Sequence, residues 1–182
     1  MNKNYLIILL LLLLTACSTA RLFPPSSMPP LSSVPPPITK HRYVDFVLVE
    51  KSQNKMYLLK NNYIVREYDI ALGQNFIGHK VREGDHRTPE GRYTLTYKNA
   101  QSSFYKSIRI DYPNEADIAR AAMRGVPPGG DIVIHGMPNE VGDYRGPIRP
   151  RNWTQGCIAV RNYEMEDIWQ LVESDTPIEI RP

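Results

Sequence analysis

Cysteine is scarce in this chain: Cys17 and Cys157 are the only two among 182 residues. Two thiols cannot build a scaffold of several bridges, so the fold must rest on a buried core. Histidine is scarce too, and His41, His79, His86 and His135 are scattered. No His/Cys cluster has metal-ligand spacing, so no metal and no cofactor are expected. Net charge is only +3, from 22 Lys and Arg against 19 Asp and Glu, and no block of basic residues stands out. That argues against nucleic acid as a partner. The longest apolar run, Tyr5 to Leu14, is too short to cross a bilayer as a helix.

What is present divides the chain into three parts. Residues 1–16 read as a signal peptide, with Lys3 ahead of the apolar run. Leu14-Thr15-Ala16-Cys17 resembles a bacterial lipobox. That resemblance implies a lipid on Cys17, an anchor in a membrane and a place in the periplasm or cell envelope. Ser18 resembles the sorting residue of outer-membrane lipoproteins, if the source is Gram-negative. The other reading of Cys17 is an incidental cysteine after an ordinary signal peptide.

Residues 17–41 carry Pro24, Pro25, Pro29, Pro30, Pro35, Pro36 and Pro37 among Ser and Thr. Such a linker favours extended polyproline II and builds no core; at ~3.1 Å per residue it reaches at most ~70 Å. It serves either as a tether that lifts the domain from the membrane or as a spacer of no set length.

Residues 42–182 form the folded domain, long enough to bury a sizeable core. Short β-rich runs at Val44–Val49, Met56–Leu59, Tyr63–Leu72, Arg92–Tyr97 and Ile108–Tyr112 are separated by turn signals such as Asn61-Asn62. Helices are expected at 114–123, capped by Asn114, and after Asn162, where Met165, Ile168, Trp169 and Val172 recur at helical spacing. Ile132–Ile134 reads as a buried strand delivering His135, and Ile178–Ile180 as a final strand. The fold class expected is mostly β, a sandwich of mixed sheets with one or two short helices.

One stretch carries the chemistry. His135-Gly136 closes one apolar run, and Trp153-Thr154-Gln155-Gly156-Cys157 opens the next. A thiolate nucleophile needs a neighbouring base or cation, and an imidazole supplies either. Gly156 lets the backbone turn tightly and aim N–H groups at a developing oxyanion. With Cys17 acylated, Cys157 is left without a disulfide partner, which is easier to explain if the thiol does chemistry.

His135-Gly136 followed by Thr154-Gln155-Gly156-Cys157 resembles the active-site signature of the L,D-transpeptidase catalytic domain, the YkuD-type domain of peptidoglycan enzymes. The upstream run Gly84-Asp85-His86-Arg87-Thr88-Pro89-Glu90-Gly91-Arg92-Tyr93 resembles a second mark of that family. The resemblance covers residues 43 to 181 and implies Cys157 as nucleophile, His135 as proton carrier and the Gly136 carbonyl as the group orienting the imidazole. The N–H groups of Gly156 and Cys157 would form the oxyanion site. Trp153, Thr154, Gln155, Arg161 and Tyr144 would contact substrate. The implied substrate is a peptidoglycan tetrapeptide stem, transferred from a thioester to an amine of a second stem or of a protein lysine. Carboxypeptidase or hydrolase action, and non-catalytic binding to peptidoglycan, are the alternatives.

This chain departs from the family twice: Gln155 stands where His is common, and Ala159 where Arg or Asn is common. His135 alone is then expected to supply the imidazole, with Arg161 standing in for the missing polar group. These departures resemble a branch that includes hydrolytic members. The loop 137–152, with Tyr144, Arg145, Arg149 and Arg151, reads either as a lid over the cleft or as a solvated basic loop. Asp85 and Arg87 either pair to brace their own loop or contact substrate.

Overall fold

The computed structural model describes residues 43–148 and 152–182. The signal segment, Cys17, the Pro-rich linker, Arg149 and Arg151 lie outside the described residues.

The first strands form as their patterns dictate. β1 (Phe46–Glu50) and β2 (Lys55–Lys60) pair antiparallel, with Val47, Leu48 and Val49 fully buried. Asn61 and Asn62 both take positive φ, 50° and 65°, the turn that matches the twist of a two-residue hairpin. β3 (Tyr63–Asp69) follows antiparallel to β2. β4 (Gly91–Ser102) is longer than its alternating run suggests and pairs with β5 (Tyr105–Ile110).

α1 (Glu115–Met123) starts at Asn114, whose side chain accepts from Asp117 N while the Asp117 carboxylate accepts from Asn114 N. β6 (Val133–His135), β7 (Ile158–Ala159), α2 (Asn162–Leu171) and β8 (Thr176–Arg181) complete the domain. α2 buries Met165 and Ile168 completely, and each such side chain contributes about 1.5–3 kcal/mol by leaving water. The N-cap of α2 is Arg161, not Asn162, which is the first helical residue and holds a loop instead.

The domain is mostly β with mixed strand directions, as expected. All eight strands join one sheet in the order β3-β2-β1-β8-β4-β5-β6-β7. β8 enters parallel to β1 and antiparallel to β4, which makes the sheet mixed. The sheet curls until its edges meet: the chain just after β3 bridges to β7 through Ala71↔Ala159 and, further along, Gly73↔Thr154. One hydrophobic cluster fills the curl, drawing on β1 through β8 and on α2. One of the segments meeting at this seam carries Cys157, and His135 sits on β6 beside it.

Candidate active site

His135 ends β6, and Cys157 immediately precedes β7. The two strands are parallel, with Ile134 opposite Ile158 and His135 opposite Ala159. Continued one residue back, this register sets Cys157 opposite Val133. Side chains two apart on a strand share a face, so Cys157 and His135 lie on one face as diagonal neighbours, their Cα atoms ~8 Å apart from strand spacing and rise.

The imidazole is buried, at 3% exposure. Phe104 packs against it at a tilt, 4.6 Å between centroids, and Trp153 meets it edge-on at 5.7 Å. His135 Nδ1 lies 2.6 Å from the Gly136 carbonyl oxygen. A carbonyl only accepts, so Nδ1 carries the proton and Nε2 keeps a free lone pair. Burial drives the imidazole pKa down to about 4, with the Gly136 hydrogen bond acting weakly the other way. Burial pushes the half-buried Cys157 thiol up from its ordinary value, against a backbone hydrogen bond at Val133; Asp131 raises it further and Lys80 lowers it. The sulfur sits 3.5 Å from the Asp131 carbonyl, to which it donates. At neutral pH thiol and imidazole are therefore both uncharged, and no thiolate–imidazolium pair is stored at rest.

The turn leading into Cys157 is closed by Thr154. Its hydroxyl donates to the Cys157 carbonyl at 2.7 Å and accepts from Gly156 N–H at 3.2 Å. Thr154 is 4% exposed, so its hydroxyl serves the turn rather than an open cleft. The Gly156 N–H assigned by sequence to an oxyanion site is committed to that hydroxyl. Gly156 has φ +132°, and a Cβ there would lie 2.7 Å from the Arg87 carbonyl oxygen. Both conformation and space require glycine.

The upstream run lies beneath this turn. A Cβ on Gly73 would fall 2.2 Å from His86 O and 3.1 Å from Gly156 Cα. Fully buried Thr88 accepts from Gly73 N–H through its hydroxyl, and its carbonyl accepts from buried Lys51. Asp85 accepts from Lys80 Nζ and from the backbone N–H of Val81, Arg82 and Arg87, all within 3.1 Å. Burial alone would raise the Asp85 pKa; the Lys80 ammonium and three N–H groups outweigh it and hold the carboxyl below its usual range. The Arg87 guanidinium contacts the His79 carbonyl rather than Asp85. Asp85 therefore braces its loop, but not by pairing with the Arg87 side chain.

Other predicted residues are dispersed. Trp153 reaches His135, while Gln155 points to solvent. Tyr144 donates to the Pro147 carbonyl within its own loop. Arg161 is engaged by Glu164 at 2.5 Å, the Gly146 carbonyl at 2.9 Å and Tyr163 at 3.0 Å. Its guanidinium ties the loop to α2 and leaves the role of missing polar group unfilled. Arg145 pairs with Asp143 and stacks on Tyr163. A groove of about 510 Å³ behind the histidine loop, lined in part by Tyr105, Asn162 and Glu166, contains neither Cys157 nor His135. Sequence reasoning missed Phe104, Lys80 and the bracing role of Asn162; an aromatic after a turn and a helix-start Asn carry no signal of that kind.

The model of the L,D-transpeptidase catalytic domain (YkuD) matches residues 44–180. A protein of Escherichia coli (strain K12), provisionally named L,D-transpeptidase YafK, is 28% identical over 120 residues, 65% of this chain and 39% of that protein. Among solved structures, the helical cell shape determining protein Pgp2 of Campylobacter jejuni matches with TM-score 0.58 at 28% identity, over 76% of this chain and 48% of that one. Bd1075 of Bdellovibrio bacteriovorus matches with TM-score 0.51 at 28% identity, over 76% and 47%. The chain thus spans half or less of the length of these relatives. With a curled mixed sheet that sets Cys157 and His135 on one face, and a family model matched along nearly the whole described domain, the chain belongs to the L,D-transpeptidase catalytic-domain family.

Proposed function

We propose that the chain performs acyl transfer on peptidoglycan peptide stems, with Cys157 as nucleophile and His135 Nε2 as base. The observation that carries this reading is the diagonal, same-face placement of Cys157 and His135, with Nδ1 held by Gly136 so that only Nε2 can take a proton. Both groups start neutral, so the proton moves as the sulfur attacks. The S–C bond forms at the stem carbonyl, the thiol proton passes to Nε2, and the oxyanion takes a hydrogen bond from Cys157 N–H, the remaining donor of the expected pair. Collapse expels D-Ala, whose amine receives the proton from His135, and leaves a thioester. An amine acceptor then forms a new amide and restores the thiol. Lipid on Cys17 and the Pro-rich segment would hold the domain at the cell envelope.

The test incubates the full chain with a disaccharide-tetrapeptide and follows protein and product by mass spectrometry. An acyl adduct absent from Cys157→Ala, with a cross-linked dimer, is expected. D-Ala-trimmed tripeptide alone would make water the acceptor and overturn the transfer step; turnover that survives Cys157→Ala would overturn the nucleophile. Iodoacetamide labelling should keep accelerating as pH rises past the ordinary thiol pKa of ~8.5, because burial holds the thiol neutral. A plateau near neutral pH would instead mark a stored thiolate.

A further inference from the structure

The Gly136–Met137 peptide unit is held at both ends. Its carbonyl oxygen accepts from His135 Nδ1 at 2.6 Å, and its N–H donates to Asn162 Oδ1 at 2.8 Å. The two ends belong to one resonance-coupled group, so an acceptor on the N–H strengthens the carbonyl as an acceptor in turn. The side-chain amide orientation is fixed by its partners: Met137 N–H can only donate, and the Gly142 carbonyl, 2.9 Å from Asn162 Nδ2, can only accept. Asn162 is 9% exposed and is the first residue of α2. Its Oδ1 presses on Gly136, where a Cβ would come within 2.6 Å. Gly136 N–H is itself held by the Phe104 and Lys106 carbonyls at 3.0 and 3.3 Å.

We propose that Asn162 is a positioning residue for the His135 base, acting through the Gly136–Met137 peptide to keep the imidazole proton on Nδ1 and the lone pair on Nε2. It takes the place that a buried carboxylate or amide fills when it touches a catalytic histidine directly, with one peptide unit interposed. The assignment rests on the reading of His135 as the base.

The test uses the full chain in mild detergent with ¹⁵N-labelled histidine, His135 being assigned by loss of its signals in His135→Gln. The wild type should show a protonated Nδ1 and a bare Nε2. In Asn162→Ala the proton should shift towards Nε2, and iodoacetamide labelling of Cys157 at pH 7 should slow about tenfold, the worth of one hydrogen bond. Asn162→Asp keeps an acceptor for Met137 N–H but loses the donor to Gly142. It should retain the Nδ1 tautomer, label within about threefold of wild type, and titrate His135 at higher pH because a carboxylate now ends the relay. A loop tether alone predicts that Asp fails as badly as Ala and that the tautomer stays put in both; either result overturns the proposal. If Asn162→Ala does not fold, the Asp variant decides alone: an upward shift of the His135 titration supports the relay, and no shift overturns it. The tautomer is read without peptidoglycan, so failure of the substrate reaction would sink the proposed function while leaving this readout intact.

Discussion

The two halves of the site are held in different ways. The cysteine side is built mainly backbone against backbone, Gly156 on the Arg87 carbonyl and Gly73 on the His86 carbonyl, with the Thr154 and Thr88 hydroxyls closing the remaining gaps. The histidine side shares main-chain bonds, Gly136 N–H on the Phe104 and Lys106 carbonyls, but adds side chains reaching from the start of α2, with Asn162 on Met137 and Gly142 and Arg161 on Gly146. Main-chain packing tolerates no added atom, whereas side-chain tethers can be exchanged one at a time. Cys157 is thus seated mainly by main-chain packing, and His135 in part by side chains that substitution can tune.

The contrast can be broken most severely at Gly156. Gly156→Ala meets a carbonyl at 2.7 Å and a φ of +132°, and should destabilise the domain by about 4 kcal/mol with loss of Cys157 labelling. Thermal unfolding and mass spectrometry read both, and a variant that is as stable as wild type would show that the turn can move. Asp85→Asn comes next. It removes the partner of a Lys80 that is 4% exposed and weakens a carboxylate holding four N–H donors, a loss of about 3 kcal/mol by denaturant titration. If labelling of Cys157 also slows, the brace transmits to the sulfur; if only stability falls, the cysteine side is rigid without it. Gly142→Ala on the histidine side should matter least. Its φ of +66° with ψ of −146° strains an alanine, but nothing lies within 4 Å of the new Cβ, so about 2 kcal/mol is expected from strain without a clash. A cost equal to that at Gly156 would erase the distinction between the two halves.

Much of this was legible in the sequence. Alternating apolar runs, Asn61-Asn62 and the Asn114 cap announce strands, hairpin and helix because each is a local signal. His135 and Cys157 were legible because their strands and glycines flank them. Less legible was the closure of the sheet, since the Ala71 and Gly73 bridges join segments more than eighty residues apart and leave no local pattern. The run from Gly84 to Tyr93 drew attention as a motif but not as a floor: apart from the Thr88 hydroxyl on Gly73 N–H, its contacts to Gly73 and Gly156 are made by carbonyls, which every residue has. Asn162 read as a helix cap because a polar residue before an amphipathic run usually is one. Burial against Gly136 gave its side chain other partners, and Arg161 with Glu164 took over the cap.

The meeting of the sheet edges also constrains how a peptide can approach. β7 has β6 on one side, and on the other Ala71 and Ala159 exchange both of their main-chain hydrogen bonds, at 2.9 and 2.8 Å. On the proposed reading, an extended stem finds the ladder beside Cys157 already paired at Ala159 and does not dock there as an extra strand. On that reading it would cross the strand ends like a bar laid over a row of posts, gripped by side chains and loop amides. Selectivity at Cys157 would then belong to the loops rather than to the sheet that carries them.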